Sequence, residues 1–276
     1  MIFDSHVHVW SEDEERFPFA GGAKPTMPAS VELLDETMAA AGVEKAVLVQ
    51  VIYYLYDNRY VAECLRRFPG KFAAIALLDP KSPETPDRLE ELVKEQGFGG
   101  MRLHFSRQED PFVLAQDDQF PLWRRVQDLG AAFIIMTKDC TQLPALEKMV
   151  ERFPEVKVVV DHMSWPKVEE EPPYPIFSNL LRLARYPKVF VKISNLPVVS
   201  HEPYPHRDVF PFVRMLYDAF GPERLMWASD FPLILRHCAY PEALELVRSH
   251  LDFLTDDDKD WLLGGTAAKV WDFKKS

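Results

Sequence analysis

Eight short runs rich in Val, Ile, Leu or Phe punctuate the 276-residue chain, and helical patterns separate them. They cover residues 1–8, 46–51, 72–78, 99–104, 132–137, 157–162, 189–194 and 224–230. This alternation constrains the fold more than any other feature. Short runs that are apolar throughout, with polar or turn residues on either side, suit strands of a parallel sheet buried on both faces. The first and last runs end 222 residues apart, so each of seven steps takes about 32 residues. That is close to the ~30 residues of one strand–helix–strand unit. Eight units predict an α/β fold, a (β/α)8 TIM barrel, with 1–276 as a single domain. An open doubly wound sheet is the competing architecture. It fits less well because no Gly-rich phosphate loop follows the first run.

The intervening segments carry helix signals. Thr85-Pro86 reads as an N-cap followed by a first-turn proline, and Gly97 as the stop after an apolar stripe at Leu89, Leu92 and Val93. Val209, Phe212, Val213, Leu216 and Phe220 form a second stripe before Gly221. Residues 11–29 read as a loop over the barrel mouth, and 264–276 as a tail packed on the outside.

Composition narrows the partners. Lys and Arg total 32 against 43 Asp and Glu, a net charge of −11, so no general basic surface for nucleic acid exists. An anionic substrate would need a local basic cluster. Three scattered cysteines do not form a disulfide framework or a thiolate metal site, and read as reduced thiols. No apolar run reaches membrane-spanning length. The expectation is a cytoplasmic protein acting on a small molecule, with no nucleic-acid or membrane partner. A homo-oligomer is compatible with it.

A barrel places its chemistry at the C-terminal ends of its strands. The first run ends in His6-Val7-His8, and residues i and i+2 of a strand share a face. Two imidazoles there can bind one Zn²⁺, although an isolated pair more often forms ordinary hydrogen bonds. The sixth run ends in Asp161-His162 and the eighth in Ser229-Asp230. Barrel closure would set Asp230 beside His6 and His8, where it can bind metal or take a proton from water. Arg102 in run four can clamp a substrate carboxylate or form an internal salt bridge, and Lys192 in run seven has the same two readings. His104, Arg107, Tyr54 and Arg207 are further candidates for substrate contact, and Tyr53 and Tyr56 can wall a pocket together with Tyr54. The alternatives are a barrel-layer histidine for His104 and a packed aromatic loop for Tyr54.

These residues carry a resemblance. Asp4-Ser5-His6-Val7-His8-Val9-Trp10, Ala41-Gly42-Val43, Tyr56-Asp57-Asn58, Val160-Asp161-His162, the segment 225–232 with its Ser-Asp-Phe-Pro, and Gly265-Thr266-Ala267-Ala268-Lys269 resemble the amidohydrolase superfamily, in its amidohydrolase 2 branch. The resemblance runs essentially end to end. It implies a barrel that hydrolyses or decarboxylates small molecules, with His6, His8, His162 and Asp230 as catalytic residues and ligands of a divalent metal, Zn or Mn. Metal-binding relatives usually add a histidine at the end of the fifth strand. This chain reads Met136-Thr137-Lys138 there. The branch that contains 2-pyrone-4,6-dicarboxylate lactonase and sugar-acid lactonases is similar in this respect, and its pyrone lactonase works without metal. The expected activity is therefore a lactonase acting on a carboxylated or sugar-derived ring, with Asp230 activating water. A metal-dependent decarboxylase is the alternative.

Overall fold

The computed structural model describes residues 1–20 and 22–273. Eight parallel strands run in chain order around one sheet: β1 (Phe3–Val7), β2 (Lys45–Val49), β3 (Phe72–Leu77), β4 (Gly100–His104), β5 (Ala132–Met136), β6 (Lys157–Val160), β7 (Val189–Ile193) and β8 (Leu225–Trp227). Helices alternate with them, including α1 (Val31–Ala41), α2 (Arg59–Arg67), α3 (Thr85–Gln96), α4 (Phe120–Asp128), α5 (Leu143–Arg152), α6 (Ser178–Arg182), α7 (Leu196–Val199) and α8 (Phe210–Phe220). The architecture is a (β/α)8 barrel.

Every strand begins close to its expected start, but several stop early. His8, Asp161, His162, Ser229 and Asp230 lie just beyond the strands that deliver them. In a loop, backbone dihedrals are no longer tied to the ladder, so these side chains can be aimed individually. Thr85 is likewise not a cap. It lies inside α3, and its hydroxyl donates to the Asp79 carbonyl, while Gly97 (φ 78°) ends the helix as expected.

Closure rests on a few bonds, because β8 has only three residues. The Asp230 N–H donates to the His6 carbonyl (3.0 Å) and the His8 N–H to that of Phe231 (2.7 Å). The buried Asp4 carboxylate accepts from the backbone N–H of His6 (3.1 Å) and Ser229 (2.9 Å) and from the Tyr240 hydroxyl (2.8 Å). One carboxylate thus staples the two strands that carry the candidate site. Gly100 permits the approach of β4 to β5, since a Cβ there would lie 1.9 Å from the Ala132 carbonyl oxygen.

Two apolar regions hold the barrel. One lies between strands and helices; the other fills the barrel interior with Val47, Ile75, Ile134, Val159 and Met226. Trp271 and Phe273 belong to the inner region, and the Phe273 ring lies 5.0 Å from that of Phe3. This corrects the expectation that the tail lies outside. The described part of the tail closes the barrel floor, where apolar interior surface would otherwise meet water. Residues 274–276 lie outside the described residues. The 11–29 loop is anchored across the β2–α2 connection. Tyr54 accepts from the Ser11 N–H (2.8 Å), and its ring stacks on Phe19 at 5.0 Å.

Candidate active site

Three groups converge at the mouth beside β1. His6 Nε2 and His8 Nε2 are 3.1 Å apart, and Asp230 Oδ1 is 3.7 Å from the first and 3.5 Å from the second. Asp230 stands in the left-handed region (φ 65°), fixed by its backbone bond to His6. Its Oδ2 accepts from Asn195 Nδ2 (2.9 Å), while buried Oδ1 has no hydrogen-bond partner among the described residues. Such an oxygen is costly to bury, and burial pushes the Asp230 carboxyl up to about 7. Burial also lowers His8 to about 3 and His6 well below its ordinary value. Both imidazoles are therefore neutral at pH 7, the form that binds metal.

A buried charge cluster lies against this set. Asp161 Oδ2 takes Arg102 Nε (3.0 Å) and Nη2 (2.8 Å), and Asp161 Oδ1 takes Lys192 Nζ (3.0 Å). His6 Nδ1 sits 3.0 Å from Asp161 Oδ1 and 2.9 Å from Lys192 Nζ. Burial alone would raise the Asp161 carboxyl, but Lys192, His6 and Arg102 outweigh it and hold it well below the usual carboxylate range. Burial lowers Lys192 to about 8, against the pull of Asp161. Of the two readings of Arg102, the structure shows the internal salt bridge. Removing Arg102 would leave the buried Asp161 Oδ2 without its two donors and the carboxylate with Lys192 as its remaining cation. Arg102→Met should therefore lower the melting temperature by 10 °C or more, as read by circular dichroism, and an unchanged melt would count against the cluster as a stabilising unit.

His162 enters on an unusual turn. His162, Met163, Ser164 and Trp165 all have positive φ, between 50° and 55°. Each non-Gly residue in that region costs about 1–2 kcal/mol, so surrounding contacts must hold the turn. The Trp165 ring lies 4.8 Å from the His162 ring, Thr137 and Ser164 share a hydroxyl bond, and Cys140 Sγ is 3.6 Å from the Ser164 carbonyl. His162 Nδ1 is 2.9 Å from Ser194 Oγ and 3.0 Å from Asn195 Nδ2. Asn195 thus touches both Asp230 and His162, yet it escaped the sequence reading. Its position just past β7 matches that of the other mouth residues, and that placement was the available signal. His6, His8 and Asp230 form one potential metal triplet and His6, Asp161 and His162 another. The four residues expected as ligands do not form one such group among the described residues.

A cleft of about 420 Å³, lined in part by Tyr56, Lys81, Arg102, His104, Arg107 and Gln108, meets the buried charge cluster at Arg102; none of His6, His8, His162 and Asp230 is in its lining. His104 Nε2 is buried without a hydrogen-bond partner among the described residues. The placement of Tyr54 corrects one expectation. Its ring is buried and its hydroxyl is engaged by Ser11, so it packs the loop, and Tyr56 lines the cleft instead. Arg207 is exposed in the turn before α8 and does not line the cleft. A larger groove, about 790 Å³, lies against α2 and α3 and shares no residue with the His–Asp set. No described helix is long and apolar enough to cross a membrane.

The family model described as Amidohydrolase matches residues 3–273. The chain belongs to the amidohydrolase family. Among curated amidohydrolase relatives, an L-fucono-1,5-lactonase from Burkholderia ambifaria is 28% identical over 72% of this chain and 69% of its own. A 4-sulfomuconolactone hydrolase from Hydrogenophaga intermedia is 26% identical over 93% of this chain and 84% of its own. A Pseudomonas putida structure assigned as a 2-pyrone-4,6-dicarboxylic acid hydrolase superposes with a TM-score of 0.86 at 25% identity, covering 99% of this chain and 98% of that one. An amidohydrolase structure from Burkholderia multivorans, at 24% identity and a TM-score of 0.81 over 98% of each chain, holds bound zinc.

Proposed function

We propose that this amidohydrolase is a lactonase, opening a small lactone that carries an acidic group. The carrying observation is Asp230 Oδ1: a buried carboxylate oxygen without a hydrogen-bond partner among the described residues, 3.7 Å from His6 Nε2 and 3.5 Å from His8 Nε2. The lactonase and lactone-hydrolase names of the curated relatives support the same reading.

The donor set fits a divalent cation. Two imidazole nitrogens and one carboxylate oxygen are donors that Zn²⁺ or Mn²⁺ binds, and three protein ligands would leave an open position. His6, His8 and Asp230 would hold the ion, which when bound supplies Lewis-acid polarisation of a carbonyl. The chain's own groups do the rest. Asp230 takes a proton from the attacking water, whose oxygen bonds to the lactone carbonyl carbon. As the ring C–O bond breaks, the leaving oxygen regains a proton and a hydroxy acid results. Asn195 donates to Asp230 and so keeps the carboxylate aimed. Its second N–H faces His162 Nδ1, which leaves the His162 hydrogen on Nε2 as a donor for the carbonyl oxygen. His162 is then a hydrogen-bonding residue rather than a fourth ligand. Arg107 and Lys81, with the unpartnered His104, offer charge and hydrogen bonds to the acidic substituent.

The test is a panel of carboxylated and neutral lactones, followed by chromatography of the hydroxy-acid product. Carboxylated rings should turn over with the higher kcat/KM. Arg107→Ala should raise KM for them tenfold or more while kcat changes little. Release of CO₂ from an aromatic acid, with no lactone opened, would replace this reading with a decarboxylase.

A further inference from the structure

The left-handed turn that delivers His162 also delivers Trp165, and the chemistry above makes no use of the second. Of the four turn residues, His162, Met163 and Ser164 are buried, while Trp165 keeps part of its surface open. Its N–H donates to the His162 carbonyl (2.9 Å), which ties the two side chains to one turn. Four of the six tryptophans, Trp10, Trp123, Trp227 and Trp271, are buried. Apolar surface left in water is unfavourable. Four consecutive left-handed residues without a glycine are strained, and such strain gathers at functional sites. Folding alone gains little from holding an indole partly open on such a turn.

The indole stands where a substrate would meet it. Its ring centre lies 4.8 Å from that of His162, and the His162 ring lies 4.8 Å from that of His6. The indole and imidazole planes are 47° apart, so the imidazole does not lie flat on the indole and covers its face only in part. A flat conjugated ring can touch such a face across its whole width at stacking distance. A puckered saturated ring touches it through a few atoms, and the gaps forfeit dispersion contacts.

We propose that Trp165 is a specificity-determining residue: its open face stacks on the ring of the substrate and selects flat, conjugated rings over puckered, saturated ones. The proposal rests on reading the His–Asp set as the place where a lactone is opened, and it narrows that reading to unsaturated lactones.

The test uses two acids that contain no lactone. Isophthalate is flat; cyclohexane-1,3-dicarboxylate carries the same charges on a puckered ring. Calorimetry measures their dissociation constants on full-length wild type, Trp165→Leu and Trp165→Phe. Wild type should bind isophthalate about tenfold more tightly than the saturated acid. Trp165→Leu keeps apolar bulk but loses the flat face, and should bring the two acids within about twofold of each other. Trp165→Phe should restore most of the preference, which a merely space-filling role would not require. The Trp165 indole N–H signal, assigned as the one missing from Trp165→Phe, should shift with isophthalate. Wild type that does not prefer isophthalate overturns the proposal, and this comparison stands even if Trp165→Leu fails to fold. A preference retained in Trp165→Leu overturns it as well. Discrimination between the two acids with no lactone opened would keep the role of Trp165 and overturn the lactonase reading, a separate outcome.

Discussion

Asp230→Asn should lower kcat/KM on the true substrate at least a thousandfold, about 4 kcal/mol of transition-state stabilisation, while the barrel stays folded. The amide matches the carboxylate in shape, and its oxygen can still accept from Asn195. The backbone bond to His6 does not involve the side chain. What disappears is the base, together with an anionic ligand for a cation. The substitution also removes a buried charge with one unpartnered oxygen, so the melting temperature should stay level or rise. Paired kinetics and melting curves check both halves. Full turnover by a well-folded Asp230→Asn enzyme would remove Asp230 from the mechanism.

The second large effect is acid destabilisation. Burial lowers His8, His104 and His162 to about 3 each, and His6 well below its ordinary value of 6.5. The unfolded chain protonates these rings near 6.5 and the folded chain does not, so stability falls as pH drops from about 6.5 toward 3. Two carboxyls oppose this. Burial raises Asp4 to about 6 and Asp230 to about 7, so their contribution is full below about 4 and is lost as pH rises through 6 to 7. Near pH 5, four histidines against two carboxyls leave the unfolded state holding roughly two more protons. Stability should therefore fall by about 3 kcal/mol per pH unit on acidification. Urea midpoints of chelator-treated protein at pH 6.5, 5.5 and 4.5 measure it. A flat series would show that these histidines are charged in the folded protein.

Both predictions depend on how the barrel brings distant residues together, and that was only partly visible in the sequence. The strand rhythm follows from side-chain chemistry alone: short β-branched and apolar runs buried on both faces have few alternatives. The polar groups at the run ends were readable for the same reason, because a parallel barrel collects all its strand ends on one rim. Relations across the rim were not readable. Arg102 carried two meanings until β6 brought Asp161 against it. Tyr54 and Tyr56 differ by two positions in one loop, yet one packs inward against Ser11 and the other lines the cleft. The left-handed turn from His162 to Trp165 contains no glycine, so nothing in its composition announces it.

The sequence by itself determined the eight strand–helix units, the net charge of −11, and the place of His6, His8, His162 and Asp230 at or just past strand ends. These are local or compositional properties, set by residue type and spacing. Tertiary structure decided which polar atoms meet. Among the described residues Asp230 Oδ1 has no hydrogen-bond partner while Asn195 occupies its neighbour, and His6 stands between Lys192 and Asp161. Such assignments depend on tenths of an ångström between residues up to 186 positions apart in the chain. Hydrogen bonding is directional and short-ranged, so only the closed barrel can set them.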